Sequence, residues 1–118
     1  MRCRLSNTEI TRAIVTTLEE KKGENILLMD ISEISSFADF FILCNGTSAR
    51  MLHSLADALM DTVKKDYHLH PRLEGNAVGG WVVLDMGDIV VHLFSPEQRE
   101  YYSLEQLWEK GKTLLRLN

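Results

Sequence analysis

Apolar residues along this chain recur with two different periods, and the changes between them predict its elements. Ile10, Ile14 and Leu18 fall on one helical stripe, preceded by a capping-box pattern of Ser6 with Glu9 and followed by Gly23 as a stop. Ile26 to Ile31 reads as a strand, Ser32 to Ser36 as a turn and Phe37 to Cys44 as a second strand. Ser48 caps a helix in which Leu52, Leu55, Leu59 and Val63 share a face. The stretch His68 to Gly80, with one proline and three glycines, reads as a loop or an irregular crossing. A hairpin follows, then a short helix from Ser95-Pro96-Glu97 with proline at its favoured first position, and Ser103 caps another through Trp108. The predicted order is α-β-β-α-β-β-α. It describes a small α/β or α+β fold, a mixed sheet with helices packed on one side or both.

The hairpin is the most informative element, because its two faces differ in chemistry. With Met86 and Gly87 as the loop, Asp85 pairs with Asp88, Leu84 with Ile89, Val83 with Val90, Val82 with Val91 and Trp81 with His92. Paired residues share a face. One face is then Val82, Leu84, Ile89, Val91 and Leu93, wholly aliphatic and suited to a core that also holds Leu55, Leu59 and Phe41. The other carries Trp81, Asp85, Asp88 and His92 around Val83 and Val90. Unpaired carboxylates are very costly to bury. That face is expected to meet solvent or a partner.

Composition narrows the function classes. A chain of 118 residues is expected to form one domain, spanning 1–118, and to bury about two-thirds of its unfolded surface. No apolar run approaches the ~20 residues that span a bilayer, and MRCRLSNTEI lacks an apolar signal core. Cys3 and Cys44 offer no disulfide framework, so a reduced, cytoplasmic setting is expected. Thirteen basic against seventeen acidic residues leave a net charge of −4. That disfavours a grip on nucleic-acid phosphates and suits a basic protein partner better.

Candidate chemistry is sparse. His68 and His70 stand one residue apart in the expected loop, without the recurrent cysteine or histidine spacing of structural zinc, so no metal and no cofactor is expected. Cys44 ends an apolar strand as a small hydrophobe, and neither Ser48 nor Ser95 lies in a nucleophile elbow. His92 reads equally as a satisfied structural histidine or an interface residue. Protein binding uses the features that the other readings leave idle. Trp81, Tyr101, Tyr102 and Trp108 form an aromatic-rich set, with Trp108 (and, on the plainer reading, Tyr102) packing the last helix on the sheet. Asp85 and Asp88 would repel each other unless a cation from a basic partner bridged them.

The same segments carry a resemblance. Gly80-Trp81, the run Leu84 to Phe94 (LDMGDIVVHLF) and Arg99 to Trp108 (REYYSLEQLW) resemble the iojap family of ribosomal silencing factors. Asp30-Ile31-Ser32, Ser35 to Ile42 (SSFADFFI), Gly46-Thr47-Ser48 and Glu74-Gly75 extend it in the same order over roughly residues 8 to 110. The resemblance implies a nucleotidyltransferase-like topology without enzymatic activity, and binding to ribosomal protein L14 that blocks the large subunit from joining the small one. It implies an L14 contact set of Trp81, Asp85, Asp88, His92, Tyr101, Tyr102 and Leu104, and a possible homodimer. The alternative is a nucleotide-dependent transferase, for which Gly46-Thr47-Ser48 at a helix start is the relevant feature. Asp85 and Asp88 flank a turn and do not form the D-x-D pair that metal-dependent transfer needs. The basic tail Lys110 to Asn118, with Lys112 and Arg116, is expected either to frame the acidic face or to touch RNA.

Overall fold

The helical stripe of Ile10, Ile14 and Leu18 is buried, with Val15, against the sheet, and the helix that carries it, α1, spans Arg4–Glu20. The computed structural model describes residues 4–33, 38–102 and 112–117. Ser6 lies inside α1 and does not cap it, since the helix begins at Arg4. Its other end closes by paired hydrogen bonds, Gly23 N–H to the Leu18 carbonyl (2.8 Å) and Lys22 N–H to that of Glu19 (3.1 Å). Lys22 takes the left-handed conformation, φ 71°, of a Schellman ending. Gly23 is required for space: a Cβ there would lie 2.5 Å from Cys44 Sγ.

Strand β1 (Glu24–Asp30) and strand β2 (Phe40–Asn45) pair antiparallel, and helix α2 (Ala49–Tyr67) follows. Ser48 caps α2 as expected, its Oγ accepting the Met51 N–H at 3.1 Å. Three further strands come next, β3 (Arg72–Asn76), β4 (Trp81–Asp85) and β5 (Ile89–Phe94). Helix α3 (Pro96–Tyr102) starts at the proline, with Ser95 Oγ accepting the Gln98 N–H at 3.2 Å, and β6 (Lys112–Leu117) is the last described element. The sheet is mixed, in the order β3-β4-β5-β2-β1-β6, with β2 and β5 parallel and the other pairs antiparallel. The fold is therefore α+β with a six-stranded sheet.

Two strands exceed the expected order. β3 lies in the stretch read as a loop, and β6 in the stretch read as a tail. Every residue of β3 is exposed, so no buried side imposes an alternating pattern on its sequence. β6 pairs along β1 at the edge opposite β3, four strand spacings or about 19 Å from β4. The described part of the basic tail, 112–117, therefore does not frame the acidic hairpin face.

Both long helices pack on one side of the sheet. There Ile10, Ile14 and Leu18 of α1 and Leu52, Leu55, Leu59 and Val63 of α2 meet Val82, Leu84, Ile89, Val91 and Leu93. The expected aliphatic hairpin face is thus part of the main core, with Leu55 and Leu59 against it. Phe41 is not: β2 alternates, placing Ile42 and Cys44 on the helix side and Phe41 and Leu43 in a second cluster on the other. That cluster, with Leu27, Met29, Ile31, Ala38, Val90 and Phe94, is also buried. β5 has no exposed side, because Ile89, Val91 and Leu93 lie in the main core and Val90 and Phe94 in the second cluster.

Candidate functional site

The hairpin turn differs from the expected one by two positions along β5. Met86 N–H bonds the Ile89 carbonyl at 2.9 Å, so Gly87 and Asp88 form the turn. Gly87, φ 87°, occupies its first position, where a II′ turn demands positive φ. Asp85 consequently pairs with Val90 and Trp81 with Phe94; the expected Asp85–Asp88 and Trp81–His92 pairs are not formed. Because side chains alternate with period two, a shift of two keeps every strand residue on its expected face, while Asp88 passes from the strand into the turn. Trp81, Val83 and Asp85 still share a side with Val90, His92 and Phe94.

That side is less polar than the sequence implies. His92 is 8% exposed, Val90 8% and Phe94 0%. Trp81 Nε1 donates to His92 Nδ1 at 2.9 Å across the diagonal of the pairing. The imidazole also lies 4.6 Å from the Phe41 ring and 5.7 Å, nearly parallel, from that of Phe94, while Trp81 sits 5.0 Å from Phe94. Burial pushes the His92 pKa down to about 4, so the ring is neutral near pH 7. Since Nδ1 accepts, the ring proton of the neutral form is on Nε2. His92 is thus buried and hydrogen-bonded, as a satisfied structural histidine would be.

Trp81 remains half-exposed at the boundary between this cluster and the surface. Its backbone is held by a turn in which Asn76 Oδ1 accepts the Gly79 N–H (2.6 Å) and the Gly80 carbonyl accepts that of Ser95 (2.9 Å). Beside it lies a groove of ≈ 400 Å³ lined by Glu74, Gly75, Asn76, Gly79, Trp81 and Val83. β3, which the sequence reading missed, thus supplies one wall of the groove. Asp85 Oδ1 accepts the Gly87 N–H at 2.9 Å, an Asx-type clasp on the turn. Asp88 is exposed, and its carbonyl accepts the N–H groups of Asp39 (2.8 Å) and Phe40 (3.0 Å). Tyr101 on α3 is 80% exposed. Tyr102 ends α3, and Leu104 and Trp108 lie outside the described residues.

Arg99 and Asn45 were not singled out from sequence, yet both are buried, at 7% and 5% exposure. Arg99 Nη1 donates to Asn45 Oδ1 at 2.9 Å and also to the Asn25 carbonyl. These bonds tie α3 to the end of β2 and the start of β1. Three positions so far apart in the chain leave no periodic trace. Arg99 also draws down the Cys44 pKa, but desolvation dominates and raises that thiol to about 12, which leaves it an unreactive core residue.

The turn of Gly46, Thr47 and Ser48 answers to packing. Gly46 N–H goes to the Phe94 carbonyl (2.7 Å), Ser48 caps α2, and a Cβ on Gly46 would lie 2.7 Å from a Leu52 methyl group. Among the described residues, no three His, Cys, Asp or Glu side chains gather so as to hold a metal ion. His68 and His70 are exposed, and His53 pairs with Asp57 on the surface of α2 at 3.2 Å. No described helix is long and apolar enough to cross a membrane.

Comparison with known proteins gives the family of the chain. Residues 5–117 match the family described as ribosomal silencing factor during starvation, RsfS. Ribosomal silencing factor RsfS of Halalkalibacterium halodurans is 36% identical over 110 residues, 93% of this chain and 94% of that protein. Mitochondrial assembly of ribosomal large subunit protein 1 from Mus musculus is 32% identical over 101 residues, 80% of this chain and 43% of that longer protein. A crystal structure of a Chromobacterium violaceum protein superposes with a TM-score of 0.82 at 34% identity, covering 86% of this chain and 85% of that one. With residues 5–117 matched by the family model and a crystal structure superposing over 86% of the chain, this chain belongs to the RsfS family of ribosomal silencing factors.

Proposed function

We propose that this silencing factor acts by binding ribosomal protein L14 on the large subunit and thereby obstructing entry of the small subunit. The proposed contact set is the Trp81 side of the β4–β5 hairpin with Asp85, Asp88 and Tyr101, and by the family resemblance also Tyr102 and Leu104. The observation that carries the reading is Trp81 itself, half-exposed over a buried aromatic cluster and bordering a groove. A large, rigid, partly desolvated aromatic on a strand face that carries a carboxylate at its other end is the chemistry of a hot spot for a basic protein surface. The name of the mouse relative, which ties that protein to the large subunit, supports the choice of subunit. His92 is too buried to contribute much contact area, so its part in this surface runs through Trp81.

The mechanism asks only for occupancy. A folded domain seated where the small subunit must dock prevents joining by excluded volume, with no bond made or broken in the protein. The test is sedimentation of purified protein with large subunits, with small subunits and with joined ribosomes. Binding to free large subunits alone is expected, and equal binding to joined ribosomes would contradict obstruction. Calorimetric titration with nucleoside triphosphates and Mg²⁺ is expected to give no heat of binding; a saturable signal would favour the transferase alternative.

A further inference from the structure

We infer that His92 is a positioning residue for partner binding: by accepting the indole N–H of Trp81 it fixes the ring plane that Trp81 presents to the partner. The inference rests on the Trp81 face being the binding surface, and goes beyond it by assigning the buried residue that sets the geometry of that face.

A tryptophan on an outer part of a sheet has two side-chain torsions to freeze when it binds, and freezing them opposes binding. Here they are already restrained in the free protein. The Nε1–Nδ1 bond of 2.9 Å fixes one edge of the indole, and Phe94, 5.0 Å away, supports one side of it. The acceptor is itself rigid, since the imidazole lies against both Phe41 and Phe94. Burial keeps that imidazole neutral, so Nδ1 retains the lone pair that the indole requires. A phenylalanine at position 92 would fill much the same space and suit the apolar cluster, yet it has no acceptor. Restraint of the indole, beyond filling of the core, is therefore the property that histidine adds.

The experiment contrasts two substitutions that order oppositely under packing and positioning. His92→Phe preserves an apolar ring and removes the acceptor. His92→Asn gives up ring volume but places an amide oxygen where Nδ1 stood. Both are made in a Trp108→Phe background, leaving Trp81 as the sole indole. In the free protein, the Trp81 indole ¹H–¹⁵N resonance is expected to move and exchange faster with solvent in His92→Phe, and to stay near its parent position in His92→Asn. Affinity for large subunits is expected to fall roughly tenfold in His92→Phe and to recover in His92→Asn, despite the latter's lower melting temperature.

If His92→Asn does not fold, a cycle of Trp81→Phe, His92→Phe and their combination decides. The second change is expected to add nothing once the indole donor is gone. Positioning is overturned if Trp81→Ala abolishes binding while His92→Phe binds like the parent, if asparagine rescues no better than phenylalanine, or if the two changes in the cycle are additive. A parent protein that does not bind large subunits, or a Trp81→Ala variant that binds as tightly as the parent, would instead remove the binding-face reading and this inference with it.

Discussion

At position 91 a charge would be stranded. Val91 is fully buried, with Leu84 of β4 on one side and Ile42 of β2 on the other. Val91→Asp is expected to abolish cooperative thermal unfolding, because an unpaired carboxylate there loses its hydration without compensation. A native-like melting curve would overturn the assignment of hairpin faces. His92 makes a pH-dependent contribution of predictable sign. Its folded pKa, about 4, lies below the ordinary value of 6.5, so the folded state binds fewer protons between those values. The contribution is fully present above pH 6.5 and is lost as pH falls toward 4, on the order of 3 kcal/mol in total. Urea unfolding from pH 7 to 4 is expected to show a smaller loss in His92→Asn than in the parent. Trp81 was legible from sequence because it interrupts an acidic strand face, and Cys44 because it ends an apolar run. Arg99 and Asn45 were not, since only the folded chain brings residues 25, 45 and 99 together.

Elements with one buried face could be read from periodicity, and edge elements could not. α2 shows its stripe of Leu52, Leu55, Leu59 and Val63, and the hairpin shows its aliphatic side. β3 reads Arg-Leu-Glu-Gly-Asn and buries nothing, so backbone pairing to β4 is its organising force. β6 carries Leu115 and Leu117 toward the main core, an alternation obscured by the basic residues around it. The hairpin turn was misplaced although its chemistry distinguishes the two: the primed turns of a two-residue hairpin need positive φ at the first central residue, which Gly87 adopts and Met86 would resist. β3 matters to the site through Gly75, which adopts φ 78° and packs where a Cβ would strike the Trp81 carbonyl. Gly75→Ala is expected to lower stability by about 1–3 kcal/mol and to weaken large-subunit binding by displacing Trp81. Chemical denaturation and sedimentation check the two effects. A variant with parental stability would show that the β3–β4 approach is looser than the geometry implies.

For the molecule as a whole, charge and shape set the terms of association. A net charge of −4 and an exposed Asp88 at the hairpin tip are expected to speed encounter with a basic partner. Affinity should fall modestly with added salt, because the contribution of Trp81 is insensitive to screening. Reversing both turn aspartates would confuse binding with folding, since Asp85 clasps the Gly87 N–H. Asp85→Asn with Asp88→Lys avoids this by keeping the side-chain acceptor at the turn. That variant is expected to melt close to the parent, associate more slowly and lose most of its salt dependence. The central claim is that obstruction originates at the Trp81 face. Light scattering by purified small and large subunits, mixed with parent protein or with folded Trp81→Ala, measures it directly. The parent is expected to suppress joining, and Trp81→Ala to permit it at equal concentration, reflecting a loss of about 2 kcal/mol or more in binding. Suppression by Trp81→Ala equal to that of the parent would contradict the account.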